Sequence, residues 1–203
     1  IIIRNNVVIH QAGPGIYFGG QCAWDMDVYI ENNVVINTGL PVDWDGLDPD
    51  TAEQTEPGNI VIRDSGAPPL GGLLSTVYVR NNTLQGVGWS GMEFIGEGCL
   101  AFGGTGDNVA VVFTHNICVN TRDYPFVGAS NAAASKLDNV TGARNVWYYA
   151  GTGTPTSAVV PTWDATPITS NPLLTLTGAQ ISVGVGSPVI DLSNTALLRD
   201  IYG

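Results

Sequence analysis

The densest group of chemically able side chains is Asp43-Trp44-Asp45-Gly46-Leu47-Asp48-Pro49-Asp50, continued by Glu53 and Glu56. Six carboxylates in fourteen residues, with no base among them, suit a hard cation that prefers oxygen ligands. Asp43, Asp45, Asp48 and Asp50 are the candidate ligands of a Ca²⁺ ion. The spacing is not that of an EF-hand, because Gly46 and Leu47 fall where that loop needs a ligand before its glycine. The competing reading is a solvated acidic loop.

A second constellation emerges from phase. Gly15-Ile16-Tyr17-Phe18, Pro41-Val42-Asp43-Trp44, Gly91-Met92-Glu93-Phe94 and Pro125-Phe126-Val127 each follow an Asn by about the same distance. Stacking these runs as parallel strands puts Tyr17, Asp43, Glu93 and Val127 in one outward column. Asp43 and Glu93 would then lie one or two coils apart, roughly 5–10 Å, which covers the carboxylate pairs of both retaining and inverting glycoside hydrolases. Tyr17, Trp44 and Trp89 offer ring faces for sugar stacking. Elimination from a uronate needs a base instead, and Arg122, beside Asp123 and Tyr124, is the candidate. In each case the competing reading is a surface acid, a core aromatic or a surface arginine.

The elements that must position these groups show themselves as a repeat. Ile1-Ile2-Ile3-Arg4-Asn5-Asn6-Val7-Val8, Val28-Tyr29-Ile30-Glu31-Asn32-Asn33-Val34-Val35, Val77-Tyr78-Val79-Arg80-Asn81-Asn82-Thr83-Leu84 and Val111-Val112-Phe113-Thr114-His115-Asn116-Ile117-Cys118 share one form, with a fainter copy at Arg144-Asn145-Val146-Trp147. Such a unit cannot bury its apolar side alone, so the units must stack. Alternation sends Ile1, Ile3, Val28, Ile30, Val77, Val79, Val111 and Phe113 inward, and Ile2, Tyr29, Tyr78 and Val112 outward. The recurring Asn suits a left-handed turn residue and a coil-to-coil amide ladder. Arg4, Glu31 and Arg80 fall at one position and read as a charge ladder.

The 49-residue interval between Asn33 and Asn82 fits either two short coils or one coil with a long insertion. Asn59-Ile60-Val61-Ile62-Arg63 supplies a strand within it, in either of two registers. His10 and His115 fill polar turn positions, and Cys118 falls in the core. Cys22 and Cys99 occupy equivalent phases at least two coils apart, too far to bridge.

Composition narrows the class. The chain has 203 residues, 44% hydrophobic and 12% charged, with 26 Gly and 12 Pro, which suggests a folded, turn-rich domain rather than a disordered chain. A net charge of −11 disfavours nucleic acid and anionic membrane surfaces, and no apolar run reaches membrane-spanning length. Three cysteines are not a disulfide framework. The expected fold is all-β, a right-handed parallel β-helix of about 5–6 coils over 1–150, with a C-terminal loop and end-cap segment over 151–203.

The tail carries a family likeness. Asn171-Pro172-Leu173-Leu174 and Gly186-Ser187-Pro188-Val189-Ile190-Asp191-Leu192 resemble the closing segment of bacterial right-handed parallel β-helix repeat proteins of the pectate-lyase-like superfamily, with Val189 where Ala is usual. The likeness implies the C-terminal portion of such a protein, secreted or at the cell surface, acting on polysaccharide or a cell-surface glycan as a lyase or hydrolase. The hydrolase branch's Asp-Asp and Arg-x-Lys signatures are absent. The superfamily also contains non-catalytic stalks, filament subunits and phage spike domains, which form the alternative expectation. Because the pattern opens inside a strand at Ile1, either further coils upstream or an end-to-end homo-oligomer is expected to cover that edge.

Overall fold

The computed structural model describes residues 1–9, 13–19, 26–38, 58–64, 75–85, 98–103, 109–120, 126–129, 139–151, 159–177 and 180–190. The chain passes repeatedly through the same short strands, and each pass forms one layer. Layer 1 holds β1 (Ile2–Arg4), β2 (Val7–Ile9) and β3 (Ile16–Phe18); layer 2 holds β4 (Met26–Glu31), β5 (Val34–Ile36) and β6 (Ile60–Arg63). Layer 3 holds β7 (Ser75–Arg80), β8 (Thr83–Gln85) and β9 (Leu100–Gly103); layer 4 holds β10 (Val109–Thr114), β11 (Ile117–Asn120) and β12 (Val127–Ala129). Layer 5 holds β13 (Val140–Ala143) and β14 (Val146–Tyr149).

Like strands pair with like. The first sheet runs β1-β4-β7-β10-β13, the second β2-β5-β8-β11-β14 and the third β3-β6-β9-β12. Every pairing in these sheets is parallel. The fold is all-β, with stacked parallel sheets consistent with a parallel β-solenoid and no α-helix among the described residues.

Period-two alternation explains the interior. Val28, Ile30, Val77, Val79, Val111, Phe113 and Leu84 are all buried in one core, as expected. Burial of such a side chain is worth roughly 1.5–3 kcal/mol over exposure. The outward column of the first sheet is Ile2, Tyr29, Tyr78, Val112 and Thr141. Ile1, expected inward, is 59% exposed, since its layer has a neighbour on one side alone.

The 49-residue interval is a single layer, because β4 pairs directly with β7 and β5 with β8. Ile60–Arg63 belongs to the third sheet, paired with β3 on one side and β9 on the other. This corrects the expected column. The partners of Ile16 and Tyr17 are Ile60 and Val61, and theirs are Leu100 and Ala101, at the positions expected for Val42, Asp43, Met92 and Glu93.

The stack continues past residue 150. Parallel bridges join Gly142 to Asp164 and Val146 to Ile168. Val160 and Trp163 pack against the main core, Trp163 lying edge-on to Phe113 and Trp147. Beyond them β15 (Leu174–Thr177) and β16 (Gln180–Val183) form an antiparallel hairpin. The two motif pieces of the tail meet there: the Ser187 hydroxyl donates to the Pro172 carbonyl, and the Leu173 N–H donates to Asn171 Oδ1 at 2.8 Å. Val189 then packs with Val146 beside Ile117, Tyr148 and Ile168.

Candidate functional site

One corner of every layer is a two-residue turn. Asn5-Asn6, Asn32-Asn33, Asn81-Asn82, His115-Asn116 and Arg144-Asn145 each link a first-sheet strand to a second-sheet strand. The first residue of each pair is left-handed, with φ between 55° and 59°. The second builds a continuous ladder. Asn33 Oδ1 accepts from the Asn6 amide N–H and side-chain NH₂ at 3.0 and 2.9 Å. The same paired acceptance recurs at Asn82, Asn116 and Asn145. Each of these NH₂ groups also donates to a carbonyl of the layer before, as Asn116 does to Val79 at 2.9 Å.

Asp164 ends the ladder. Its Oδ2 accepts from the Asn145 N–H and NH₂ and from Trp147 Nε1, the last at 2.8 Å, and its Oδ1 accepts from the Thr166 N–H. All four bonds are accepted, so a carboxylate suits this place as an amide would not. The sequence reading ended its ladder at Asn145; no repeat copy surrounds Asp164 to reveal it.

At the ladder corner the second asparagine of each turn spends its amide on its neighbours, while Asn32 Oδ1, in the first position of the layer 2 turn, is buried without a donor. The corner between the second and third sheets is different. Its connections vary in length: ten residues from Asn6 to Ile16, 27 from Asn33 to Ile60, 18 from Asn82 to Leu100 and 11 from Asn116 to Val127. The connections nevertheless return to one line. Gly15 and Ile16 donate to the carbonyls of Gly58 and Asn59, Asn59 and Ile60 to those of Gly98 and Cys99, and Cys99 to that of Phe126, at 2.9–3.1 Å. The ends of the longest connection are tied together, Thr38 Oγ1 donating to the Gly58 carbonyl at 3.1 Å and Asn59 Nδ2 to Thr38 Oγ1 at 3.0 Å. Among the described residues Asn59 Oδ1 is buried without a donor.

By chain order most of the sequence-predicted site residues fall within these connections. Asp43, Trp44, Asp45, Asp48 and Asp50 belong to the connection of layer 2, Trp89 and Glu93 to that of layer 3, and Arg122 to that of layer 4. All eight lie outside the described residues, as do His10 and Cys22. Tyr17, on β3, is described, and its side chain is exposed. Among the described residues no group of three or more His, Cys, Asp or Glu side chains is placed to hold a metal ion. No described helix is long and apolar enough to cross a membrane.

The open face of the first sheet holds an arrangement that spacing alone did not reveal. Tyr29 and Tyr78 stack with centroids 5.0 Å apart and rings inclined by 8°. The Arg80 guanidinium lies 5.5 Å from the Tyr29 centroid and forms an ion pair with Glu31, so the expected charge ladder is partly realised. Tyr29 donates to Asp27 Oδ2 at 3.3 Å, and desolvation, then the Asp27 carboxylate, raises its hydroxyl pKa. Outward direction is legible from alternation; the stack depends on register, which the parallel pairing of β4 with β7 supplies by setting Tyr29 beside Tyr78.

The chain matches no family model, no curated protein and no solved structure.

Proposed function

We propose that the chain forms a right-handed parallel β-helix of the pectate-lyase-like kind, secreted or held at a cell surface, that binds or processes polysaccharide. Right-handedness follows the general chirality of parallel crossovers. One observation supports the functional reading: by chain order the candidate residues fall in the connections of three successive layers, and the re-entry points of those connections stack at strand spacing, ~4.8 Å. A linear glycan lying along the stack would cross those re-entry points in order, with Tyr17 on the adjoining strand. Asp43 and Glu93 are the pair for hydrolysis of a neutral glycan, and Trp44 and Trp89 its stacking faces. For elimination from a uronate, Arg122 takes the proton, and Ca²⁺ held by Asp43, Asp45, Asp48 and Asp50 would offset the substrate's carboxylate charge. The unpaired Asn59 Oδ1 at the root of that acidic segment supports an oxygen-seeking cation there.

The test is a panel of neutral and acidic polysaccharides, with and without chelator, read by binding, by new reducing ends and by unsaturated-product absorbance. Hydrolysis lost in Asp43→Asn and Glu93→Gln supports the first chemistry. Elimination lost on chelation and in Arg122→Ala supports the second. No binding to any glycan favours the alternative, a structural or adhesive β-helix, a stalk, filament subunit or spike. That alternative draws support from the ladder, where the buried asparagines bond layer to layer and leave nothing for a ligand.

A further inference from the structure

Two thiols meet across adjacent layers. Cys99 enters the third sheet in layer 3, and its N–H donates to the Phe126 carbonyl of layer 4 at 2.9 Å. Cys118 lies on β11 in layer 4, in register with Leu84 of layer 3. Cys99 Sγ lies 4.0 Å from the Leu84 carbonyl oxygen, and the Cys118 thiol is within hydrogen-bond reach of Cys99. Both are reduced and buried in the same core. We propose that Cys99 and Cys118 are a latent disulfide that fastens layer 3 to layer 4 when the protein meets an oxidising medium.

The oxidant is a small-molecule disulfide. Cys99 loses its proton to solvent, and its sulfur attacks one sulfur of that disulfide; an S–S bond forms on Cys99 and one small thiolate leaves. Cys118 then loses its proton, and its sulfur attacks Cys99 Sγ, expelling the second small thiolate. Two electrons pass from the protein to the small disulfide, which ends as two thiols. Burial, first, and the neighbouring Cys99 hold the Cys118 thiol well above its usual pKa, so Cys118 is the poorer first nucleophile and the natural resolving group. Since both are buried, exchange waits for local opening of the layer.

The chain is incubated with glutathione disulfide just below its melting midpoint, denatured, alkylated with iodoacetamide and mapped by mass spectrometry. One Cys99–Cys118 link with a single alkylated Cys22, and a melting midpoint raised by roughly 5–10 °C and restored by reductant, is the expected result. Three alkylated cysteines, any link containing Cys22, or glutathione retained on Cys99 overturns the proposal. Cys99→Ser and Cys118→Ser should each abolish the shift. If either fails to fold, the map of the unaltered chain decides alone.

Discussion

Asn116 shows what a single ladder rung does. It is fully buried, accepts two bonds from Asn82 at 3.0 Å each, and donates to Asn145 and to the Val79 carbonyl. Asn116→Ala strands two donors of Asn82 and one carbonyl in a region water does not reach. Unsatisfied buried groups cost about 1–3 kcal/mol each, so a loss of about 3–5 kcal/mol is expected in urea denaturation. A loss below 1 kcal/mol would mean the ladder is ornamental. Its neighbour His115 brings a pH dependence. Desolvation, then Arg144, lowers its pKa below the ordinary 6.5. The unfolded chain then binds the proton more readily than the folded one. The contribution is therefore present above about pH 6.5 and is lost as pH falls through the lower folded value. Comparing denaturation at pH 8 and pH 5, His115→Asn should lose less stability on acidification than the unaltered chain. Asn suits the left-handed backbone, φ 58°, already adopted there. An equal loss in both proteins would rule out this histidine as the source.

At the scale of elements, Gly142 illustrates how the last layers are closed. A methyl group there would come within 2.5 Å of the Trp163 ring and 2.8 Å of the Phe113 carbonyl. The absent side chain is what lets Trp163 settle edge-on to Phe113 and Trp147. Gly142→Ala should displace Trp163, cost about 1–3 kcal/mol and red-shift its fluorescence. Unchanged stability and emission would show that the ring is not held by this contact. Which elements were legible follows from the same local physics. Strands flanking the ladder corner were readable because their two-residue turn never changes length, so alternation and Asn stay in phase. The third-sheet strands were half readable. Gly15-Ile16-Tyr17-Phe18 and Pro125-Phe126-Val127 lie close after their asparagines, and β3 and β12 fall there. In layers 2 and 3 the chain takes a longer route, and β6 and β9 fall at Ile60 and Leu100. Pro41–Trp44 and Gly91–Phe94 imitate the short spacing without being the partners of Ile16–Phe18. A constant-phase rule fails where connection length is free. The site reading inherits this: the column meant to align Asp43 with Glu93 is occupied by Val61 and Ala101, and all its residues but Tyr17 lie outside the described residues.

Across the whole molecule, length is constrained on one side and free on the others. Five two-residue turns hold the ladder in register. Inserting Gly-Ser between Asn32 and Asn33 should break the rung shared by Asn6, Asn33 and Asn82 and lower the melting midpoint sharply. The same insertion between Gly46 and Leu47 should leave it within a few degrees. Each loop doubling adds only about 0.6 kcal/mol of closure entropy. Equal effects at the two places would refute the distinction. A parallel ladder with one fixed corner is in effect a rack with interchangeable cartridges. A segment carrying acids, aromatics or a base can be lengthened, traded between layers or replaced outright while the frame keeps its register. Chemistry on such a frame can therefore change without any change in the residues that fold it.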